Sequence, residues 1–496
     1  MKLWSRYLRE LFCFRPLLAT SFGGHTEETT CVFDCRIAKK IETLNRRFLS
    51  LAAYQLRNSG PDRNELLVFC KYLQNRINCV ELDHTKMFAK EGGWIVEVMD
   101  ILDDDQPYVT FQDLKKAKNR FRTIEGCINK YIQALKSSAR VYPPSKLVLS
   151  EMIERIKNRL EIDSENIPDD LKKDYDQNVR TQVSQKLVPF LERLLHQRVR
   201  PTCGLAYLHN GRSMYDAAIL LHCGLKIPAK TIYDFGMKRI QALTEKLQFT
   251  PLPEDMPSFT PSEVVSKYKE ICKRLQTTYL GTIVGDLSLA NECTVQEMDE
   301  HDALNGPMAY YENNVFYVNT LYEHPIHKCE ALAFHECFPG HHLQQDIELQ
   351  FAKDSDYRFF CPHTGFVEGW AVYAEQLLTP VLPYGSIGVL ESELFRAVRL
   401  VVDTGIHAMK WSCTDAYNFL KLHCSMEEEE ARSEISRYAS DPAQSIGYYI
   451  GMLVFQAIGS KTTDLIAVHQ EILKNGSVPL EMLLNKYDIQ LDDLMK

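Results

Sequence analysis

The 496-residue sequence lacks any long apolar run, any excess of positive charge and any closely spaced CxxC cysteine pair. Because no stretch approaches the ~20 apolar residues of a transmembrane helix, we predict no membrane span. A net charge of −9 gives no reason to expect nucleic acid as a partner, since proteins that bind nucleic acid carry a basic surface. The fifteen cysteines are odd in number and scattered, which favours reduced thiols over a disulfide framework.

The first 24 residues also lack the uninterrupted apolar core of a signal peptide, because five charged residues are spread through them. They are compatible with an N-terminal helix or with an arginine-rich mitochondrial presequence. Together with the expectation of reduced thiols, this composition favours a cytoplasmic location, and a mitochondrial one is the alternative.

Strand signals are few, and helical periodicity dominates. Apolar residues recur every three or four positions in stretches such as residues 147–162 and 178–199. The best strand candidate is NVFYVNT, residues 314–320, which is rich in β-branched and aromatic residues and begins at a turn-forming asparagine pair. An exposed strand that binds substrate backbone and a short buried hairpin strand both fit this pattern. We therefore predict a mainly α fold with a small β element.

Four prolines between residues 250 and 263 interrupt the helical pattern and predict a boundary near residue 260. No internal repeat or low-complexity tract is visible elsewhere. The predicted organisation is a variable N-terminal segment (residues 1–34), a helical N-terminal lobe (residues 35–260) and a metal-binding catalytic lobe (residues 261–496).

Three histidines and a glutamate lie within eight positions of the segment ALAFHECFPGHHLQQ, residues 331–345. In the HExxH motif of zinc peptidases, two histidines four residues apart on one helical face bind Zn²⁺, and the glutamate activates its water. Here the position four after His335 is Pro339, which removes a backbone donor, and Gly340 follows it. The helix is therefore expected to bulge or kink at this point.

If the proline and glycine are looped out, the remaining order is His-Glu-x-x-His. His335 and His341 are then metal ligands, and Glu336 is the general base. His342 is the alternative second ligand, but in an unbroken helix it would lie ~10.5 Å along the axis from His335, too far for one zinc ion. The pattern favours His341 and leaves His342 beside the metal or in contact with substrate.

A catalytic zinc site needs a third protein ligand. The helical stretch HTGFVEGWAVYAEQLL, residues 363–378, carries Glu368 and Glu375 seven positions apart. A carboxylate on an apolar helix face needs a partner when it is buried, and a metal ion is such a partner. Glu368 is the better candidate because Gly369 beside it permits close helix packing. A capping or salt-bridged acid is the alternative for Glu368 taken alone.

These motifs resemble those of a large family of bacterial and eukaryotic proteins with the signature HExxPGHHxQ, often described as metallopeptidases or lipoproteins. The resemblance is close over residues 200–496. Bacterial relatives often carry a secretion or lipoprotein signal that the sequence does not show, so a cytoplasmic location remains the expectation. The resemblance rests on four ordered motifs: HECFPGHHLQ (335–344), VEGWAVYAE (367–375), FRAVRLVVDTGIH (395–407) and SRYASDPAQSIGYYIG (436–451).

The family is in turn distantly similar to the helical zinc peptidases carboxypeptidase Taq and thimet oligopeptidase. Their HEFGH would align with His335, Glu336 and His341 once two residues bulge out. The resemblance implies a large, two-lobed, mainly helical zinc-peptidase-like fold. It also implies one Zn²⁺ per chain, with His335, His341 and Glu368 as ligands.

Hydrolysis of a peptide by zinc forms an oxyanion that needs a donor besides the metal, commonly a Tyr or His from a later helix. Tyr448 sits at the family's tyrosine position, and His407 follows a glycine in the DTGIH motif, so either could be this donor. Arg437 could bind a substrate carboxylate through its planar guanidinium group, which would favour C-terminal or short peptides. A structural hydrogen-bonding role is the alternative for each.

We predict a zinc-dependent peptidase that hydrolyses small peptides by a metal-activated water, with Glu336 as general base. One alternative is a zinc hydrolase of another amide or ester, because the zinc-water machinery does not depend on what carries the carbonyl. The second is a catalytically silent descendant that binds a peptide. Retention of Glu336 argues against that reading, since binding alone needs no general base.

Overall fold

The structure is a computed structural model that describes residues 2–14, 20, 37–57, 63–80, 82, 88–89, 91–250, 256–299, 303, 306–351, 363–377 and 384–495. Helices dominate these residues and the strands are short, which confirms the predicted mainly α fold. The chain forms two compact units, each assembled from separate segments. The first comprises Met1–Ala218, Ile406–Asn418 and Glu427–Pro442, and the second Ile219–Gly405, Phe419–Met426 and Ala443–Lys496.

The helices of the first half of the chain belong mainly to the first unit. In chain order they are α1 (Leu3–Phe14), α2 (Ile37–Arg57), α3 (Arg63–Asn78), α4 (Gly93–Asp100), α5 (Phe111–Val141), α6 (Lys146–Glu161), α7 (Asp169–Tyr175), α8 (Val188–Gln197), α9 (Gly211–Cys223) and α10 (Ala229–Gln248). Helices α4 to α8 surround a continuous apolar core that includes Phe121, Ile128 and Leu187. Additional π-helical turns lie at Ile101–Asp105, Asp176–Arg180 and Val183–Leu187.

The N-terminal residues form a packed helix, one of the two interpretations of their sequence. Tyr7 of α1 is buried, and its hydroxyl donates a 2.8 Å hydrogen bond to Asn45 of α2. The Tyr7 ring also contacts the edges of Phe48 and Phe69. These contacts anchor α1 against α2 and α3.

The remaining helices lie mainly in the second unit, except α17, which belongs to the first, and α16, which is divided between the two. They are α11 (Pro261–Val284), α12 (Ile326–Leu332), α13 (His341–Phe351), α14 (Thr364–Leu377), α15 (Gly385–His407), α16 (Cys413–Cys424), α17 (Glu428–Ser440), α18 (Gly447–Ser460), α19 (Leu465–Asn475), α20 (Leu480–Lys486) and α21 (Leu491–Leu494). None of the described helices is both long and apolar enough to cross a membrane.

The first boundary between the units follows residue 218, and later ones follow residues 405, 418, 426 and 442. The prolines predicted a lobe boundary near residue 260. Pro261 is the first residue of α11, where its missing N–H is tolerated, and Thr260 with Glu263 forms a capping box. The four prolines therefore mark a connection between two helices of the second unit.

The strands are short and lie in the second unit. They are β1 (Ser258–Phe259), β2 (Thr294–Glu297), β3 (Ala309–Glu312), β4 (Val315–Val318) and β5 (His324–Pro325). β1 pairs with β5, and β4 lies between β2 and β3. Asn313 and Asn314 close the β3–β4 hairpin with φ of 48° and 67°, a conformation that asparagine tolerates in two-residue hairpin loops. The predicted strand is thus β4 in a hairpin, and the exposed-strand interpretation is wrong because both of its edges are paired.

The expectation that the cysteines are reduced thiols is also incorrect for one pair. Cys203 and Cys413, which are 210 positions apart, are joined by a disulfide within the first unit. Sequence spacing gives no sign of this bond, because only the fold brings the two residues together. Disulfides persist mainly in oxidising compartments, so the bond weakens the argument from thiols to the cytoplasm.

The second unit depends on an unusually close approach of α14 and α18. A Cβ added to Gly369 would lie 2.4 Å from the Cα of Gly451, and one added to Gly451 would lie 1.8 Å from the carbonyl oxygen of Gly365. Real side chains do not fit at such distances, so the glycines set the separation of the helices. Because Glu368 is adjacent to Gly369, this packing also positions the carboxylate singled out above.

We predict that Gly369→Ala destabilises the protein, because the added methyl group collides with the backbone of α18. Overpacking of this kind typically costs ~1–3 kcal/mol or more. Gly281→Ala in α11 is the matched control, since the added methyl group meets open space there and should be neutral or stabilise by up to ~1 kcal/mol. Urea unfolding of both variants tests this, and equal stabilities would contradict the close-packing argument.

Candidate metal centre

The helix that carries His335 does not bulge and continue, as the sequence predicted, but ends. α12 runs into a π-helical turn, Ala333–Cys337, and the new helix α13 begins at His341. Gly340 lies in the connection, where an added Cβ would lie 1.8 Å from the carbonyl oxygen of His335. Only glycine allows this approach. The proline and glycine therefore separate two helices instead of being looped out of one.

The turn brings His335 and His341 together with Glu368 of α14. Glu368 Oε2 lies 3.7 Å from His335 Nε2 and 3.5 Å from His341 Nε2. One potential ligand atom from each residue lies within 4.8 Å of the others, and the described residues contain no second such cluster of three. Ligand atoms around a tetrahedral zinc ion, bonded at ~2.0–2.1 Å, are about 3.3 Å apart. The spacing of the three side chains therefore fits a metal ion.

His342 has different partners. It is completely buried, its Nδ1 accepts a 3.0 Å hydrogen bond from Tyr311 of β3, and its Nε2 donates one of 3.2 Å to the carbonyl of Asn291. Burial lowers the pKa of His342, so it is a neutral residue with both nitrogens engaged. By contrast, His341 Nδ1 is buried with no hydrogen-bond partner among the described residues. The geometry favours His341 over His342 as a ligand.

Glu375, about two turns beyond Glu368 on α14, orients His335. Its Oε1 accepts a 2.8 Å hydrogen bond from His335 Nδ1 and lies 3.2 Å from Arg396 of α15. Ser392 donates to the other oxygen. A carboxylate on the far nitrogen fixes the tautomer of a ligating histidine and directs the Nε2 lone pair towards the metal. From the sequence, Glu375 is only an alternative to Glu368 as a ligand, although their seven-residue spacing places both acids on one helix face.

The charges of this cluster favour a divalent cation. Glu336, Glu368 and Glu375 are three largely buried carboxylates, and Arg396 compensates one of them. Burial would lower the pKa of His335, but the nearby carboxylate of Glu368 and the hydrogen bond to Glu375 raise it to about 9. Burial would raise the pKa of Glu368, yet the two imidazoles beside it hold that pKa well below the ordinary value. A proton on His335 thus supplies part of the positive charge that a metal ion would bring.

Glu336 and Tyr448 also lie in the second unit. Glu336 is buried beside the cluster, and burial raises its pKa against the opposing charges of His335 and His341. The Tyr448 ring of α18 lies parallel to the His335 ring, with a centroid separation of 6.4 Å and an angle of 5°. Arg399 lies 5.3 Å from the centre of the Tyr448 ring. Both sequence candidates are therefore next to His335.

The other two candidates, His407 and Arg437, belong to the first unit, whereas the cluster belongs to the second. His407 is buried, accepts a 3.1 Å hydrogen bond from the backbone N–H of Leu205 and donates one of 2.9 Å to the carbonyl of Tyr438. Burial lowers its pKa to about 3. Both ring nitrogens of His407 are hydrogen-bonded to backbone groups. His407 therefore has the structural hydrogen-bonding role that was the alternative to a catalytic one. Arg437 lies 3.6 Å from Glu434, one turn earlier on α17.

A family of bacterial proteins of unknown function, DUF885, has a sequence profile that matches residues 16–486. The chain belongs to the DUF885 family. The match includes part of the segment predicted to be variable, residues 1–34. No curated protein matches this DUF885 sequence.

Two solved structures share the fold of this DUF885 protein. One is the crystal structure of a "putative lipoprotein" from Colwellia psychrerythraea, with a TM-score of 0.82 and 21% identity over 99% of both chains. The other is a "putative lipoprotein of unknown function" from Shewanella oneidensis, with a TM-score of 0.73 and 15% identity over 98% of both chains. At these identities the likeness establishes the fold alone.

The expectation of a cytoplasmic or mitochondrial location is contradicted by these neighbours, because both are described as lipoproteins. Cys203 and Cys413 form a disulfide, whereas the cytoplasmic prediction assumed reduced thiols. The charged residues at the N-terminus were the other basis for that expectation, and they do not outweigh these two findings.

We predict that the metal-free protein loses stability as the pH rises from about 6.5 to about 9. The folded-state pKa of His335 is raised above its ordinary value of 6.5, so the stabilisation is complete below pH 6.5 and is lost as the pH passes through 9. Its size is on the order of 3 kcal/mol. The test is to measure the free energy of unfolding of the wild type and of His335→Gln between pH 6.5 and pH 9. If this free energy changes with pH equally in the two proteins, the prediction is refuted.

Proposed function

We propose that this DUF885 protein is a zinc-dependent peptidase that acts on small peptides. The observation that carries the proposal is the cluster of His335, His341 and Glu368, with Glu375 hydrogen-bonded to His335 on the side away from Glu368. Two imidazoles and one carboxylate form the ligand set of the thermolysin type of catalytic zinc site. Zinc bound there would supply Lewis-acid activation of a carbonyl group and of a water molecule.

Glu336 is the proposed general base. It follows a proposed ligand directly in the chain, and its buried carboxylate is close enough to His335, His341 and Glu368 to interact with their charges. Burial raises its pKa towards neutrality, which makes it a stronger base than an exposed carboxylate. After taking a proton from water, it can pass that proton to the leaving amine.

Tyr448 is the proposed oxyanion donor, in preference to His407. Its ring lies parallel to that of His335, and its hydroxyl can donate to an oxygen that becomes negative at the same centre. The guanidinium group of Arg399 over the ring favours development of negative charge nearby. His407 lacks a nitrogen for this task because backbone groups engage both of them.

A peptide substrate is proposed because a sheet edge adjoins the cluster. Among the described strands β3 lies at the edge of its sheet, and its Tyr311 donates a hydrogen bond to His342, the residue after a proposed ligand. An extended peptide can add to such an edge through backbone hydrogen bonds. β3 therefore replaces β4 as the candidate for this role, since β4 is paired on both sides.

The ligand assignment predicts that the purified protein binds about one Zn²⁺ per chain. His335→Ala, His341→Ala and Glu368→Ala should each lower zinc affinity sharply, because each removes a direct metal bond. His342→Ala should retain zinc, since its nitrogens bond to Tyr311 and Asn291. Zinc titrations of the four variants test this. Loss of zinc from His342→Ala together with retention in His341→Ala would reverse the assignment.

Glu336→Gln is expected to keep the metal and lose peptide hydrolysis, because the amide cannot take a proton from water. Removal of a general base typically costs ~10²- to 10⁴-fold in rate. Turnover should be measured on panels of short peptides, acyl amides and esters, with bound zinc determined in the same samples. Undiminished peptide cleavage would reassign the base. Cleavage confined to non-peptide substrates would favour another class of zinc hydrolase.

A further inference from the structure

Because the two histidine ligands lie on separate helices, their relative position depends on the turn between them. In a regular HExxH helix, backbone hydrogen bonds fix the spacing of the two imidazoles. Here α12 and its π-helical turn end at Cys337, and α13 begins at His341. Something other than helix geometry must hold the residues between them.

Trp370 of α14 holds this turn. Its indole Nε1 donates a 2.9 Å hydrogen bond to the carbonyl oxygen of Pro339, and its side chain is completely buried. Trp370 lies two residues after Glu368 and five before Glu375. One helix therefore provides the carboxylate ligand, the hydrogen bond to the turn and the hydrogen bond to His335.

The indole is itself locked in place by three aromatic neighbours. The rings of Tyr373, Phe455 and His469 surround it at centroid distances of 5.7, 5.6 and 5.3 Å, in edge-to-face arrangements. His469 donates a 3.0 Å hydrogen bond to the carbonyl of Ile283 and accepts one of 3.1 Å from Tyr373. Burial lowers the pKa of His469 to about 4, so it remains the neutral acceptor for Tyr373. The donor of Trp370 thus has a fixed direction.

We propose that Trp370 is a positioning residue that sets the separation of His335 and His341 through its hydrogen bond to Pro339. The inference rests on the proposed zinc site and extends it to a residue that touches neither metal nor substrate. It accounts for how two residues inserted into the HExxH spacing are accommodated. The hydrogen-bond donor that keeps the two histidine ligands together thus lies on α14, the helix that also carries the third ligand, Glu368.

The test compares zinc affinity in Trp370→Phe with that in Tyr373→Phe. Trp370→Phe removes the donor to Pro339, whereas Tyr373→Phe removes a buried hydrogen bond from the same aromatic cluster without touching the turn. A second replacement of Trp370, by benzothienylalanine, keeps the size of the ring and removes only the N–H. The benzothienylalanine protein tests the role of the N–H even if Trp370→Phe leaves a cavity or fails to fold.

We expect both Trp370 replacements to lower zinc affinity by ~10- to 100-fold, the usual loss when a supporting hydrogen bond at a metal site is removed. The visible absorption of the Co²⁺-loaded protein should change as well, because it reports the coordination geometry. Tyr373→Phe should keep the wild-type affinity and spectrum. Wild-type affinity in the folded benzothienylalanine protein would overturn the positioning role and leave the zinc site intact. A wild-type protein that binds no zinc would overturn both.

Discussion

The carboxylate of Glu368 between two buried imidazoles is the interaction on which the second unit depends. Three largely buried acids surround these imidazoles, and a buried charge is costly unless it is paired. Arg396 compensates one acid, and a proton on His335 compensates another when no metal ion is bound. The negative charge that remains favours a divalent cation, which brings two positive charges at once.

The glycines of α14 and α18 hold the helix that carries the acids. Gly365, Gly369 and Gly451 allow α14 to pack closely against α18, the helix of Tyr448. The carboxylates of Glu368 and Glu375 extend from α14 to His335. The glycine contacts therefore fix the position of α14, and with it the position of both carboxylates.

The helical fold and the residues of the cluster could be predicted because their signals are local. Periodicity indicates helices, the Asn313–Asn314 pair indicates a hairpin, and the unusual density of histidines points to His335 and its neighbours. The roles of Glu375 and His407 could not be predicted, because each depends on a partner at least 30 residues away in the chain. Glu375 bonds to His335, and His407 bonds to the backbone at Leu205 and Tyr438. The turn before α13 was foreseen only as a distortion.

The interrupted helix changes how metal binding and folding are linked. In an uninterrupted HExxH helix, the two imidazoles keep their spacing even when the surrounding helices loosen. Here their spacing depends on tertiary contacts, because the turn is held by Trp370 and the third ligand comes from the same helix. Any loosening of α14 therefore displaces Glu368 and releases the turn together. A metal ion that binds only the folded arrangement stabilises all of these contacts at once, so metal affinity and the stability of the second unit should rise and fall together.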